Sequence, residues 1–208
     1  MNARSPFYVI EEFLSPLACE EIIDMLNFTV PDTDKEGHPI PSVRSHEHAS
    51  GIIYERLLYA LPEIQAYYEF IYKGTLPVEF EWFPEGTMNK PHAENSHFTK
   101  GKWLRTEVKD FTGVLFMCDF QEKIPFEKDY EVYGGKLEFP QHAFGFNPVR
   151  GTMVFFPSDP HFINATTYTS VGDLYQARVH MAAQTPYLYH PEKFPGNYLQ
   201  WFASILNK

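Results

Sequence analysis

The first residues in this chain able to do chemistry are His92 and Glu94, which close the stretch Glu81-Trp-Phe-Pro-Glu-Gly-Thr-Met-Asn-Lys-Pro-His-Ala-Glu. In an extended segment residues i and i+2 project from the same face, so an imidazole nitrogen and a carboxylate oxygen can converge on one cation without special backbone geometry. That supplies two of the three ligands of a facial triad. With nine histidines and 27 acidic residues in the chain, a His-x-Glu triplet also arises by chance, so the motif needs a partner. His161 is the candidate. It follows the run Gly151-Thr-Met-Val-Phe-Phe-Pro-Ser-Asp-Pro, and two histidines plus one carboxylate with open positions is the donor set of non-haem iron(II) centres. Taken alone, His161 reads more simply as a hydrogen-bonded surface or core histidine.

These residues need a scaffold, and the bulk numbers limit its kind. A chain of 208 residues is long enough for one well-buried core, and one domain over 1–208 is expected. An apolar fraction of 44% with 13 Tyr, 19 Phe and three Trp indicates a globular, heavily aromatic interior. The formal charge of −10 disfavours nucleic acid or an anionic membrane as the main partner. Cys19 and Cys118 are read as buried free thiols. With neither a charged-then-apolar leader nor an 18-residue apolar run in view, the expectation is a soluble, cytoplasmic protein in a reducing compartment.

Along the chain, residues 7–14 have the aromatic and β-branched content of a strand. Ser15-Pro16 then offers a helix cap followed by proline at the first helical position, opening a helix to about Leu26. Residues 29–46 read as a surface loop. The pattern at 49–70 is helical, with Pro62 expected to split it into two helices and with Tyr67 and Tyr68 as core aromatics. After Gly74 come short strand-like segments at 77–83, 110–118, 136–139, 144–147, 152–157, 161–168 and 174–183, a spacing that argues for a sandwich or barrel. Residues 99–106, with Lys100, Lys102, Trp103 and Arg105, follow the first motif closely. A mobile solvated loop is the simpler reading of them, and contact with an acidic or peptide substrate the alternative. Residues 121–131 read as a solvated connection, and 195–206 as a C-terminal helix carrying Tyr198, Phe202, Ile205 and Leu206. The fold class is therefore α+β, mainly β: a helical support at 1–75, a β body at 76–185 and a helical end at 186–208.

The order of blocks resembles the prolyl 4-hydroxylase-like branch of the iron(II)- and 2-oxoglutarate-dependent oxygenases. The resemblance rests on the opening Phe7-Tyr-Val-Ile-Glu-Glu-Phe-Leu-Ser-Pro, the Phe83-Pro-Glu-Gly turn before His92-Ala-Glu94 and the strand Thr112-Gly-Val-Leu-Phe-Met-Cys. It continues through Gly134-Gly-Lys-Leu-Glu-Phe and the run from Gly151 to His161, covering roughly residues 7–183. It implies a double-stranded β-helix, a jelly-roll or cupin-like barrel, with iron(II) held by His92, Glu94 and His161. It also implies a basic residue for the far carboxylate of 2-oxoglutarate. Arg178 is the candidate, since its planar fork binds a carboxylate through two parallel hydrogen bonds.

Arg178 lies 17 residues beyond His161. A hairpin turning at Val171-Gly172 would set it opposite Ala165, on the face of His161. On the same parity His180 reads most simply as a hydrogen-bonded barrel histidine, with a second donor to the cosubstrate as the alternative and Thr112 and Tyr175 as further candidates. Glu94 departs from the branch, which mostly has aspartate there, and one extra methylene alters the ligand's reach. The implied activity couples oxidative decarboxylation of 2-oxoglutarate, using O2 and with ascorbate as a reductant, to hydroxylation of a C–H bond in a peptidyl-proline or an amino acid. The substrate would thus be a small molecule, a peptide or a protein. Two alternatives stand beside it: a jelly-roll binding module without catalysis, and a cupin-type metalloenzyme that uses no 2-oxoglutarate.

Overall fold

The structure is a computed structural model that describes residues 4–124 and 130–196. The expected C-terminal helix falls mainly on residues outside that range.

Two helices lie in the first third of the chain. Pro16–Leu26 begins as its sequence predicts: Ser15 is the N-cap, its hydroxyl accepting from Ala18 N–H at 3.2 Å, and Pro16 sits where no N–H is needed. The second helix, Glu47–Tyr68, runs unbroken through Pro62, contrary to the expected split. Pro62 and Leu58, whose carbonyl loses its intrahelical donor, both face outward, so the missing bond falls on the solvent side. Residues 29–46 also depart from the loop reading. They contain the paired strands Asp32–Thr33 and Pro39–Ile40, and then Ser42–Arg44, which joins the main sheet against Glu79–Phe83.

The main sheet places its strands in the order Tyr8–Ile10, Met153–Pro157, Phe111–Phe116, Leu174–Ala183, Glu79–Phe83 and Ser42–Arg44, with Tyr72–Thr75 also pairing to Leu174–Ala183. Every pairing in it is antiparallel. The second layer is made of shorter pieces: Leu137–Phe139 between Phe144–Phe146 and Ala165–Thr166, Glu131–Gly134 against Thr169–Val171, and a bridge between His92 and Asn164. Together these layers form the double-stranded β-helix.

Alternation along the strands divides the interior in two. Phe111, Leu115, Ala177, Val179 and Met181 face the helices, where they pack with Ile22, Ile53, Leu57, Ile64 and Tyr68. Their neighbours Val114, Phe116, Val154 and Phe156 face into the barrel and pack with Phe7, Leu137, Phe139 and Phe162. The same alternation turns Gln176, Arg178 and His180 inward, all of them buried. The hairpin expected around Val171-Gly172 does not form. Ala165–Thr166 and Thr169–Val171 pair within the second layer, whereas Leu174–Ala183 lies between Glu79–Phe83 and Phe111–Phe116. The chain changes sheets at Gly172, so Arg178 stands opposite Glu79 and Val114 rather than Ala165.

One buried hydroxyl ties the helical layer to the sheet. Tyr68 Oη lies 2.8 Å from both the Pro6 and Phe155 carbonyl oxygens and accepts from Tyr8 N–H at 3.2 Å. Tyr68→Phe keeps the ring and leaves these backbone groups short of a partner, so it should cost about 1–3 kcal/mol. Urea denaturation of the variant against the parent chain checks this.

Candidate functional site

The polar residues of the barrel interior come from four segments held in fixed register. The strand Leu174–Ala183 supplies Gln176, Arg178 and His180, and the strand Glu79–Phe83 lies alongside with Glu81 opposite Gln176. The segment with His92 and Glu94 pairs with the segment carrying Asn164, each backbone N–H reaching the other's carbonyl at 3.0 and 2.9 Å. His92 and Asn164 therefore sit directly across from one another.

Arg178 is the hub. Its Nε donates to Glu81 Oε2 at 2.8 Å, and its Nη1 donates both to Glu94 Oε1 and, at 3.1 Å, to Asn164 Oδ1. Glu94 Oε1 also accepts from Asn164 Nδ2 at 3.0 Å and lies 3.4 Å from His92 Nε2. Gln176 Nε2 donates to Glu81 Oε2 at 2.5 Å. The side chains of Arg178 and Glu94 are only 2% and 4% exposed, while His92 stands at the rim at 42%.

Burial by itself would raise the Glu94 pKa, but the charge of Arg178 and the bond with His92 reverse this and hold the carboxyl well below its ordinary value. The bond to Glu94 raises the His92 pKa above that of a free imidazole, against the opposing effects of burial and of Arg178. For Arg178 burial pulls downward, and the carboxylates of Glu81 and Glu94 more than offset it, so the guanidinium is charged at every accessible pH.

The remaining sequence candidates have other placements. His180 is fully buried, with Nδ1 3.1 Å from Thr112 Oγ1, which in turn lies 2.8 Å from Ser158 Oγ. His180 Nε2 is 3.6 Å from Glu79 and 4.0 Å from Glu94, outside hydrogen-bond reach of both. Tyr175 has the opposite parity to Arg178 and leaves the cluster, its ring lying parallel to Trp82 at 6.3 Å. His161 sits in the short turn Pro160–Phe162, with Nδ1 2.8 Å from Asp159 Oδ1, its ring 5.4 Å from Tyr189 and its side chain 65% exposed. His92 and Glu94 are brought together and His161 is not. Among the described residues no three His, Cys, Asp or Glu side chains are grouped so as to hold a metal ion.

Sequence reasoning missed Asn164 and the role of Glu81 altogether. A signal for Glu81 was present, since in the strand Glu79-Phe-Glu-Trp-Phe it lies between aromatic residues, and an acid there must be paired if buried. Asn164 had no signal, because its importance comes from lying across from His92. Residues 99–106 lie largely within a β-hairpin rather than a loop. Ser96–Thr99 pairs with Lys102–Arg105, Phe98 faces Trp103 across the hairpin at 5.3 Å, and Arg105 bonds Asp110 at 3.0 Å.

No protein-family model matches the sequence, and no curated protein matches it. Solved structures do match. The viral collagen prolyl hydroxylase of Paramecium bursaria Chlorella virus-1, in its 2-oxoglutarate complex, superimposes with a TM-score of 0.61 at 16% identity, over 87% of this chain and 97% of that one. A prolyl-4-hydroxylase of Pseudomonas putida gives 0.58 at 12% identity, over 87% and 94%. HygX of Streptomyces hygroscopicus, with nickel and 2-oxoglutarate bound, gives 0.58 at 11% identity, over 93% and 91%. At these identities the likeness establishes the fold, the double-stranded β-helix of 2-oxoglutarate oxygenases.

That fold implies a metal, and the residues of this chain do not fit one in the arrangement observed. The Glu94 oxygen that would share an ion with His92 is taken by a guanidinium, and the side chain across from His92 is an amide. Breaking a buried ion pair by removing one partner strands the other charge. Arg178→Ala should therefore cost about 3–5 kcal/mol of folding stability in denaturant titration.

Proposed function

We propose that this chain is a binding barrel of the 2-oxoglutarate oxygenase type that receives a peptide or a small acid at its mouth and does not oxidise it. The observation that supports this reading is the closed network around Glu94. Arg178 neutralises the Glu94 carboxylate from within and, with Asn164, occupies Oε1, the oxygen nearest His92, so neither that charge nor that donor is free for an iron ion. The mouth beside this network is suited to an anionic guest. His92 lies at the rim, and the neighbouring hairpin carries Lys100 and Lys102 beside the exposed rings of Phe98 and Trp103 in a chain of net charge −10. Among the described residues no helix is long and apolar enough to cross a membrane.

A second reading follows the resemblance: an iron(II) hydroxylase with 2-oxoglutarate as cosubstrate. It needs His161 to leave Asp159 for a place beside His92 and Glu94, and Arg178 to leave Glu94 for the cosubstrate, with His180 and Thr112 assisting. Two things favour it. The solved structures named above include barrels with 2-oxoglutarate bound, and buried Arg178 Nη2 and His180 Nε2 lack hydrogen-bond partners. In that case iron(II) would supply the oxidising chemistry, with peptidyl-proline or an amino acid as the substrate class.

The experiment that separates them is anaerobic titration with iron(II) and 2-oxoglutarate, followed in the visible range. The binding reading expects no charge-transfer band and no succinate on admitting oxygen. A band that disappears in His92→Ala, together with succinate released on admitting oxygen, would establish the hydroxylase reading instead.

A further inference from the structure

The contacts of Arg178 go beyond neutralising Glu94. Nη1 collects one oxygen from Glu94 and one from Asn164, and Nε collects a third from Glu81. These acceptors come from three separate segments, and the guanidinium stands on a fourth, so it braces the barrel interior as a coordinated ion would. Asn164 is placed across from His92 by two backbone hydrogen bonds, in the position from which a third donor would complete a site with His92 and Glu94. Its Nδ2 is turned to Glu94 and its Oδ1 to Arg178, so both ends of the amide serve the guanidinium network.

We propose that Arg178 is a built-in cation occupying a latent metal position whose three corners are His92, Glu94 and residue 164, and that Asn164 and Arg178 are the two residues that keep the position closed. This rests on the binding reading above. Replacing Asn164 by histidine supplies a second imidazole where the amide now stands, and replacing Arg178 by methionine removes the competing cation while keeping an unbranched apolar side chain of similar reach. Either change alone is insufficient. Asn164→His leaves Arg178 on the Glu94 oxygen, and Arg178→Met leaves only one imidazole and one carboxylate with an amide.

The test uses cobalt(II) as the probe, because its visible d–d absorption reports coordination without turnover. The parent chain and both single variants should show no stoichiometric uptake. The double variant Asn164→His/Arg178→Met should bind cobalt(II) more tightly than either single variant, by at least the roughly 10–100-fold that losing a mere hydrogen-bond partner of a metal ligand costs. It should also melt at a higher temperature with the metal than without it. If the double variant is unfolded when metal-free, refolding in the presence of cobalt(II) decides the matter: recovery of the native circular-dichroism spectrum is expected, and a chain that stays unfolded overturns the proposal. A folded double variant that binds no better than the single variants overturns the proposal alone and leaves the binding reading standing. Stoichiometric uptake by the parent chain that is lost in His92→Ala overturns both.

Discussion

The constraint on which the site depends is the burial of one guanidinium. Moving such a charge out of water costs several kcal/mol even after relaxation, and the cost is offset only where the surrounding geometry supplies matched acceptors. Here the acceptors are Glu81, Glu94 and Asn164, each on a different segment. The requirement runs in both directions. Glu94 is nearly as buried as Arg178 and would be a stranded anion without it, so a single side chain ties the His92–Glu94 segment and the Asn164 segment to the Leu174–Ala183 strand and reinforces the backbone pairing that already holds the strand Glu79–Phe83 there.

The apolar layers make that burial possible. Leu174–Ala183 has sheet neighbours on both sides, and alternation sends Ala177, Val179 and Met181 into the helical layer while Gln176, Arg178 and His180 face the barrel. The helix Glu47–Tyr68 covers the outward face and is tied to the edge of the sheet through Tyr68. Apolar packing of the odd-numbered residues thus sets the position of the polar even-numbered ones, and a slip of one residue would exchange the two sets.

Much of this was readable from residue patterns. Ser15-Pro16 signalled the first helix start, and the strand blocks from 77 to 183 signalled the barrel, because short-range capping and alternation act through neighbouring residues alone. Pro62 misled, since its cost depends on whether the freed carbonyl faces solvent, which is a property of the packed helix. The expected hairpin at Val171-Gly172 misled for a related reason. A glycine turn looks the same in sequence whether the chain folds back on its own sheet or passes to the other layer. His92 and Glu94 were legible because i, i+2 convergence is local. Asn164 was not, because its standing comes only from a cross-strand partner 72 positions earlier.

The same network bears on which chemistry the barrel can support. Glu81 and Glu94 set two formal negative charges against the one positive charge of Arg178, and His92, whose pKa is raised by its bond to Glu94, lies at the rim beside them. A divalent ion admitted about 4 Å from the guanidinium would meet a repulsion on the order of 8 kcal/mol at an effective dielectric constant near 20, twice the unit-charge value. Metal and arginine therefore compete for the Glu94 carboxylate, and an ion has full use of it only if the arginine leaves. Its exit is opposed by the strands packed on either side of Leu174–Ala183 and by the loss of every acceptor it now holds. A site that loaded and released iron readily would need a ligand set free to accept the ion, whereas here the Glu94 oxygen nearest His92 is already committed to a cation fixed in the chain.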